Sequence, residues 1–212
     1  MRFDSKNGMI VLNSLIDTIH ENTEYLSEVD GAIGDGDHGI NMNKGFMLCR
    51  ERTQGMEMNI SEALNTLGEI LFSEIGGSMG PLYGTFFMEM AEASKGKDEI
   101  DAEIFYEMLN QAITAIQSIG NAKVGDKTLL DTLIPAMEAF KQAIDEGESF
   151  EEALDILKQA AERGRDSTKD LVAKIGRAAR LGERSRGVLD AGATSCCLML
   201  CSMADSMKEN MA

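Results

Sequence analysis

Residues 7–39 read NGMIVLNSLIDTIHENTEYLSEVDGAIGDGDHG, and the two parts of this stretch obey different rules. Leu12, Leu15, Ile16, Ile19 and Leu26 recur at helical spacing, so residues 7–29 are predicted to form an amphipathic helix with one apolar stripe. From Asp30 to Gly39 the stripe stops. Glycines are interspersed with Asp30, Asp35 and Asp37, a composition that ends a helix in a turn.

The same alternation of stripe and unusual connection continues outward along the chain. A second helix is predicted over 38–52, and a third over 61–75 carries Ala63, Leu64, Leu67, Leu71 and Ile75 on one face. Gly76-Gly77-Ser78-Met79-Gly80 breaks the pattern, and Pro81 suits the first turn of a fourth helix over 81–94. The fifth starts near Asp101 and buries Phe105, Met108, Leu109, Ala112, Ile113 and Ile116. A Gly-bearing loop over 120–127 leads to Thr128, the expected cap of a sixth helix to Asp145 with a kink at Pro135. Ser149 to Glu152 form a capping box for a seventh helix reaching Ile175, with Gly164 inside it. A polar, Arg-rich segment over 176–192 precedes the eighth helix, 193–208. No run of alternating residues predicts a strand.

The expectation is one all-α domain over residues 1–212 with eight helices joined by short links, hence antiparallel neighbours. Periodicity alone leaves open whether they make a bundle, a closed ring or a globin-like stack. If the helices alternate up and down, the connections after the first, third, fifth and seventh lie at one end. These are the four loops with unusual residues.

With 20 Lys+Arg against 36 Asp+Glu, the chain carries a net charge of −16. Coating DNA or RNA needs clustered cations, so nucleic acid is excluded as a general partner, and an anionic membrane surface with it. No stretch approaches 18 apolar residues, which excludes a membrane span, and no signal peptide is evident. Cys49, Cys196, Cys197 and Cys201 lack zinc-site spacing and read as small buried hydrophobes of a reducing cytoplasm.

The chemistry lies in the loops. Asp30, Asp35 and Asp37 would repel one another, and either a hard cation or full solvation relieves that cost. An EF-hand fails, because the twelfth position counted from Asp35 is Phe46. Mg²⁺ shared with a phosphate ligand fits better. Gly76 to Gly80 precede a helix start, where backbone N–H groups suit a phosphate, though no Walker lysine follows. Arg177, Arg180, Arg184 and Arg186 form either an anion clamp or a charge-balancing loop. Three carboxylates, a Gly-rich helix start and an Arg cluster at one end are the equipment for a Mg²⁺–nucleotide and phosphoryl transfer.

The segments IGDGDHGINMNKGF, GGSMGPLYGTFF, GDKTLLDTLIPA and GRAARLGERSRGVLDAGATS, in this order, closely resemble the nucleotide-binding L subunits of the phosphotransferase-dependent dihydroxyacetone kinases. The resemblance implies a closed barrel of eight antiparallel amphipathic helices with the nucleotide at one rim. It implies Asp30, Asp35 and Asp37 as ligands of two Mg²⁺. His38, Gly39, Asn41, Ser78, Met79, Gly120, Leu129, Arg177, Asp190 and Gly192 would line the nucleotide site, with no covalent nucleophile. It further implies that ADP stays bound as a coenzyme and is rephosphorylated to ATP by a phosphohistidine M subunit. The γ-phosphoryl then passes to dihydroxyacetone on a K subunit, giving glycerone phosphate. A transcription regulator is a further partner of such subunits. Single-chain ATP-dependent kinases of short ketoses carry a similar domain fused behind a substrate domain, and a free 212-residue chain favours the separate subunit. Fatty-acid kinases resemble it too, but with an Asp-Gly-Asp-Thr-Gly first motif, from which His38 departs.

Overall fold

A computed structural model describes residues 1–211. Its elements are β1 (Phe3–Asp4), α1 (Gly8–Glu21), α2 (Thr23–Gly31), α3 (His38–Thr53), α4 (Ile60–Glu74), α5 (Met79–Ser94), β2 (Glu99–Ile100), α6 (Ala102–Ile119), α7 (Leu130–Asp145), α8 (Phe150–Ser167) and α9 (Ala191–Lys208). Short 3₁₀ turns occupy Ser5–Asn7, Thr168–Asp170 and Arg177–Ser185. Each helix packs on the next in sequence, and α9 returns to pack on α1, which closes the ring. The bundle and globin-like alternatives are thereby set aside.

The predicted first helix is interrupted at Asn22, giving α1 and α2. Local side chains compete for its backbone acceptors there: Asn22 Nδ2 donates to Thr18 O at 2.8 Å, and Thr23 Oγ1 donates to His20 O at 2.8 Å. The predicted seventh helix stops at Ser167 rather than Ile175. Ser167 Oγ donates to Gly164 O and Thr168 Oγ1 to Arg165 O, so hydroxyls engage the last turn. Pro135 does not break α7. It leaves Asp131 O without its usual i+4 donor, and the bare Cα of Gly164 on α8 packs against that oxygen.

Two strands of two residues each, too short to show alternation, are added to the expected helices. Phe3 pairs with Ile100 and Asp4 with Glu99, and Phe3 also bridges to Met211. Phe3 and Ile100 are fully buried, so this ladder seals the end of the barrel opposite the four loops.

The core is one continuous cluster between the helices. Phe105, Phe140 and Phe150 meet edge-on or tilted, with ring centroids 5.4–6.1 Å apart, and join α6, α7 and α8. Cys49, Cys196 and Cys197 are buried and Cys201 half-buried, all as free thiols. α4 and α5 pack tightly, because Gly68 and Gly84 let the backbones approach. A Cβ on Gly84 would lie 2.7 Å from Phe72 Cβ and 2.9 Å from Phe72 Cα. Gly84→Ala must therefore separate the two helices. We expect it to lower the urea-denaturation free energy by about 1–3 kcal/mol, the usual cost of overpacking; an unchanged midpoint would show that the pair can slide apart freely.

Candidate nucleotide and metal site

Asp30 sits in the last turn of α2, where its carbonyl accepts from Ile33 N at 3.1 Å and Gly34 N at 2.6 Å. These bonds fold the chain back, and Gly36 completes the reversal at φ +76°. Asp30, Asp35 and Asp37 then each offer a carboxylate oxygen within 4.8 Å of the others. Such neighbours repel by about 3–4 kcal/mol per pair at an effective dielectric near 20. Arg177 answers part of this charge by pairing with Asp35, so the first and fourth unusual loops meet. An all-oxygen donor set of this kind suits Mg²⁺.

Helix starts differ between the two ends of the barrel, apart from α1, which continues from a 3₁₀ turn capped by Asp4 and has no bond from the Asn7 side chain. At the sealed end, Asn59 caps α4, Asp101 caps α6 and Ser149 caps α8 through side-chain oxygens. At the loop end, α3 and α5 begin without a side-chain bond from their N-cap residues, Asp37 and Ser78, whereas the start of α7 is served by Thr128, whose hydroxyl accepts from Leu130 N. Open helix starts present unpartnered N–H groups and the positive end of the helix dipole, which is the chemistry of a phosphate site. The fourth start at this end, that of α9, is capped by Asp190, whose Oδ2 accepts from Ala193 N at 2.7 Å.

Asp190 is pushed up to about pH 6 by burial, and its bond from Ala193 only partly offsets this. His38, the first residue of α3, donates its backbone N–H to Asp30 at 3.4 Å. Its ring turns inward, with Nε2 at 2.9 Å from Ser195 Oγ. Burial lowers its pKa to about 4, so the ring is neutral at neutral pH. Gly39 follows with its Cα packed against Thr23 O, a gap that no Cβ could enter.

Among the other residues singled out by sequence, Asn41 N donates to Asp37 O at 2.9 Å in the first turn of α3. Ser78 is exposed and Met79 half-buried at the start of α5. Gly120 ends α6 in extended, exposed backbone. Leu129 is buried and packs on Gly192, where a Cβ would lie 3.5 Å from Leu129 Cβ. Thr128 supports α7 as expected, accepting from Leu130 N at 3.2 Å. Arg186 is committed to its own loop, bonding Glu183 and Asp170 O, whereas among the described residues Arg180 and Arg184 form no ion pair.

Sequence reasoning missed the residues that hold these loops together. Lys127, at φ +63° and 2% exposed, donates Nζ to Thr168 O at 2.6 Å, Leu171 O at 3.2 Å and Val188 O at 2.6 Å. Burial lowers its pKa. Asp131 accepts from Gly125 N at 2.5 Å and Thr128 N at 2.7 Å, which shapes the loop before α7. Tyr83 Oη donates to Gly192 O at 3.0 Å, linking α5 to α9. The only sequence signal for Tyr83 and Ser195 was a polar atom one turn beyond a singled-out helix start.

Residues 32–205 match the model of the DAK2 domain. The chain is 38% identical to the ADP-binding subunit DhaL of the PEP-dependent dihydroxyacetone kinase of Escherichia coli, over 91% of this chain and 92% of that one. It is 36% identical to an ADP-binding DhaL subunit of Listeria innocua, over 96% and 97% of the two chains. An L-erythrulose kinase of Pectobacterium atrosepticum is 32% identical, and there the match covers only 32% of the longer protein. The dihydroxyacetone kinase of C. freundii shares the fold with a TM-score of 0.70 at 23% identity, over 97% of this chain and 36% of that one. That kinase is also known in complex with AMP-PNP and Mg²⁺. The chain belongs to the DAK2-domain family, within its branch of DhaL-type ADP-binding subunits.

Proposed function

We infer that this chain is the ADP-binding subunit of a phosphoenolpyruvate-dependent dihydroxyacetone kinase. The observation that carries the reading is the pairing of three clustered carboxylates with the open helix starts of α3 and α5 at one rim. Asp30, Asp35 and Asp37 would hold two Mg²⁺, which would neutralise phosphate charge. Backbone N–H groups at the starts of α3 and α5 would receive the phosphates. Leu129 and Gly192 would supply the apolar wall, and Arg177 would leave Asp35 for the nucleotide. Phosphoryl transfer then rests on positioning and electrostatics, with no covalent step on this subunit.

The partners are a K subunit that holds dihydroxyacetone and a phosphohistidine M subunit that restores ATP from bound ADP, all in the cytoplasm. Neither histidine here is placed to bind a ketose. His38 is tied inward, and His20 on α1 is hydrogen-bonded to Asn43. An erythrulose kinase relative shares this domain over only a third of its length, so ketose choice would belong to the partner.

Two outcomes test this reading, and a third tests the burial of His38 and Asp190 at the site. Asp35→Ala and Asp37→Ala should each purify without ADP and lose ligand-linked stability of about 4 kcal/mol at a nucleotide concentration a thousandfold above Kd; full nucleotide content in either variant would refute the metal assignment. The isolated chain given ATP and dihydroxyacetone should form no glycerone phosphate, and adding a K subunit should restore turnover; product from the chain alone would overturn the subunit assignment.

The third outcome concerns pH in the metal-free, nucleotide-free protein. His38 titrates near 4 when folded, below its ordinary 6.5. The unfolded chain therefore takes up a proton that the native state refuses, and this contribution to stability is lost as pH falls through that window. Asp190 titrates near 6, above its ordinary 3.8, so its contribution is present at low pH and lost as pH rises toward 6. The stability difference between wild type and His38→Gln should shrink from pH 7 to 4, and that between wild type and Asp190→Asn should move the opposite way. Parallel slopes in chemical denaturation would contradict the two burial effects.

A further inference from the structure

Ser195 Oγ lies 2.9 Å from His38 Nε2, 2.6 Å from Tyr83 Oη and 3.2 Å from Gly192 O. Tyr83 Oη also bonds Gly192 O at 3.0 Å. His38 opens α3, while Tyr83 and Ser195 lie one turn into α5 and α9, and all three helices start at the proposed nucleotide rim. Ser195 is fully buried, Tyr83 2% exposed and His38 7% exposed. Their proton count closes with His38 neutral: Nε2–H donates to Ser195, whose hydroxyl donates to Tyr83, whose hydroxyl donates to Gly192 O. With the other tautomer, Tyr83 donates to Ser195, which donates to Nε2, and the Gly192 carbonyl loses its hydroxyl donor.

We propose that Ser195 and Tyr83 are positioning residues for phosphoryl transfer, which through His38 and the Gly192 carbonyl lock the N-termini of α3, α5 and α9 into one phosphate-binding register. Neither touches the nucleotide on this reading, which rests on the function inferred above. Apolar residues along all three helices already belong to the common core. What apolar packing leaves soft is rotation and sliding of a helix start by fractions of an ångström, and open N–H groups must converge on one anion with that accuracy. A buried network in which every member is satisfied removes that freedom.

The test compares Tyr83→Phe, Ser195→Ala and the double variant with a matched control. Ser202→Ala deletes a hydroxyl of α9 that bonds Ser14 Oγ at 2.7 Å on the α1 side, two turns further from the rim. Each variant is assayed for chemical stability, for ADP affinity by calorimetry with Mg²⁺, and for turnover with K and M subunits at saturating dihydroxyacetone. We expect Tyr83→Phe and Ser195→Ala to weaken ADP binding by roughly three- to tenfold each, the worth of one or two buried hydrogen bonds. Turnover at saturating nucleotide should fall as well. The double variant should lose less than the product of the single losses, because one network is being broken twice. Ser202→Ala should lose stability while keeping ADP affinity and turnover. The proposal is overturned if folded Tyr83→Phe binds ADP and turns over like wild type, or if Ser202→Ala loses affinity to the same degree. Should Ser195→Ala fail to fold, Tyr83→Phe, which removes a single oxygen, decides the matter. Wild-type protein that binds no ADP would instead refute the subunit reading itself.

Discussion

Closing antiparallel helices into a ring forces four helix starts, those of α3, α5, α7 and α9, onto one rim, and each brings N–H groups that the helix cannot satisfy. The far ends of the barrel answer the same problem with Asn59, Asp101 and Ser149. Leaving α3 and α5 without such caps costs about 1 kcal/mol at each start. It is the condition for binding an anion there. In a chain of net charge −16, the aligned positive ends of these helices are what make a phosphate tolerable beside three carboxylates. The acidic loop and the open helix starts are thus two halves of one electrostatic arrangement, which a divalent cation would join on the function proposed above.

Much of this was legible in the sequence. The stripes located the helices, and the alternation of plain and unusual connections placed all four unusual loops at one end without any knowledge of relatives. The structure joins the first loop to the fourth by Asp35 and Arg177, and the third to the fourth by Lys127. The second loop joins through Tyr83, one turn into α5. Stripe periodicity fails where side chains bond to backbone at short range. Asn22 sits in an unbroken pattern of apolar residues yet divides the first helix, and Ser167 with Thr168 ends α8 before its periodicity does. Hydrophobic spacing reports which face is buried, not whether a carbonyl has found a nearer donor than its own helix.

The site's supporting residues were illegible for a related reason. Lys127 reads as one more charge in a polar loop, yet its ammonium is buried on three carbonyls from two separated segments. Asp131, in the first turn of α7, shapes backbone six residues back at Gly125. Such roles depend on partners distant in sequence, and a single chain without geometry carries no periodic trace of them. Signals based on glycine and aspartate found the loops of the proposed nucleotide surface. They could not find what keeps that surface in place.

The Arg-rich connection shows how the two kinds of residue divide the work. Its anchors are internal: Lys127 holds Val188 O, Gly187 N donates to Lys169 O at 2.7 Å, and Ser185 Oγ accepts from Ala173 N at 2.9 Å. Arg186 adds a bond to Asp170 O. These contacts fix a long, polar and otherwise coreless segment without using Arg177, Arg180 or Arg184. Arg177 crosses to Asp35, while Arg180 and Arg184 stay exposed beside an acidic rim. Had the loop relied on its arginines for shape, their guanidinium groups would be consumed by backbone carbonyls. Because one buried lysine, two small-residue contacts and Arg186 do that task, Arg177, Arg180 and Arg184 stay off those carbonyls and, on the proposed function, would be available to phosphate oxygens and to an approaching subunit.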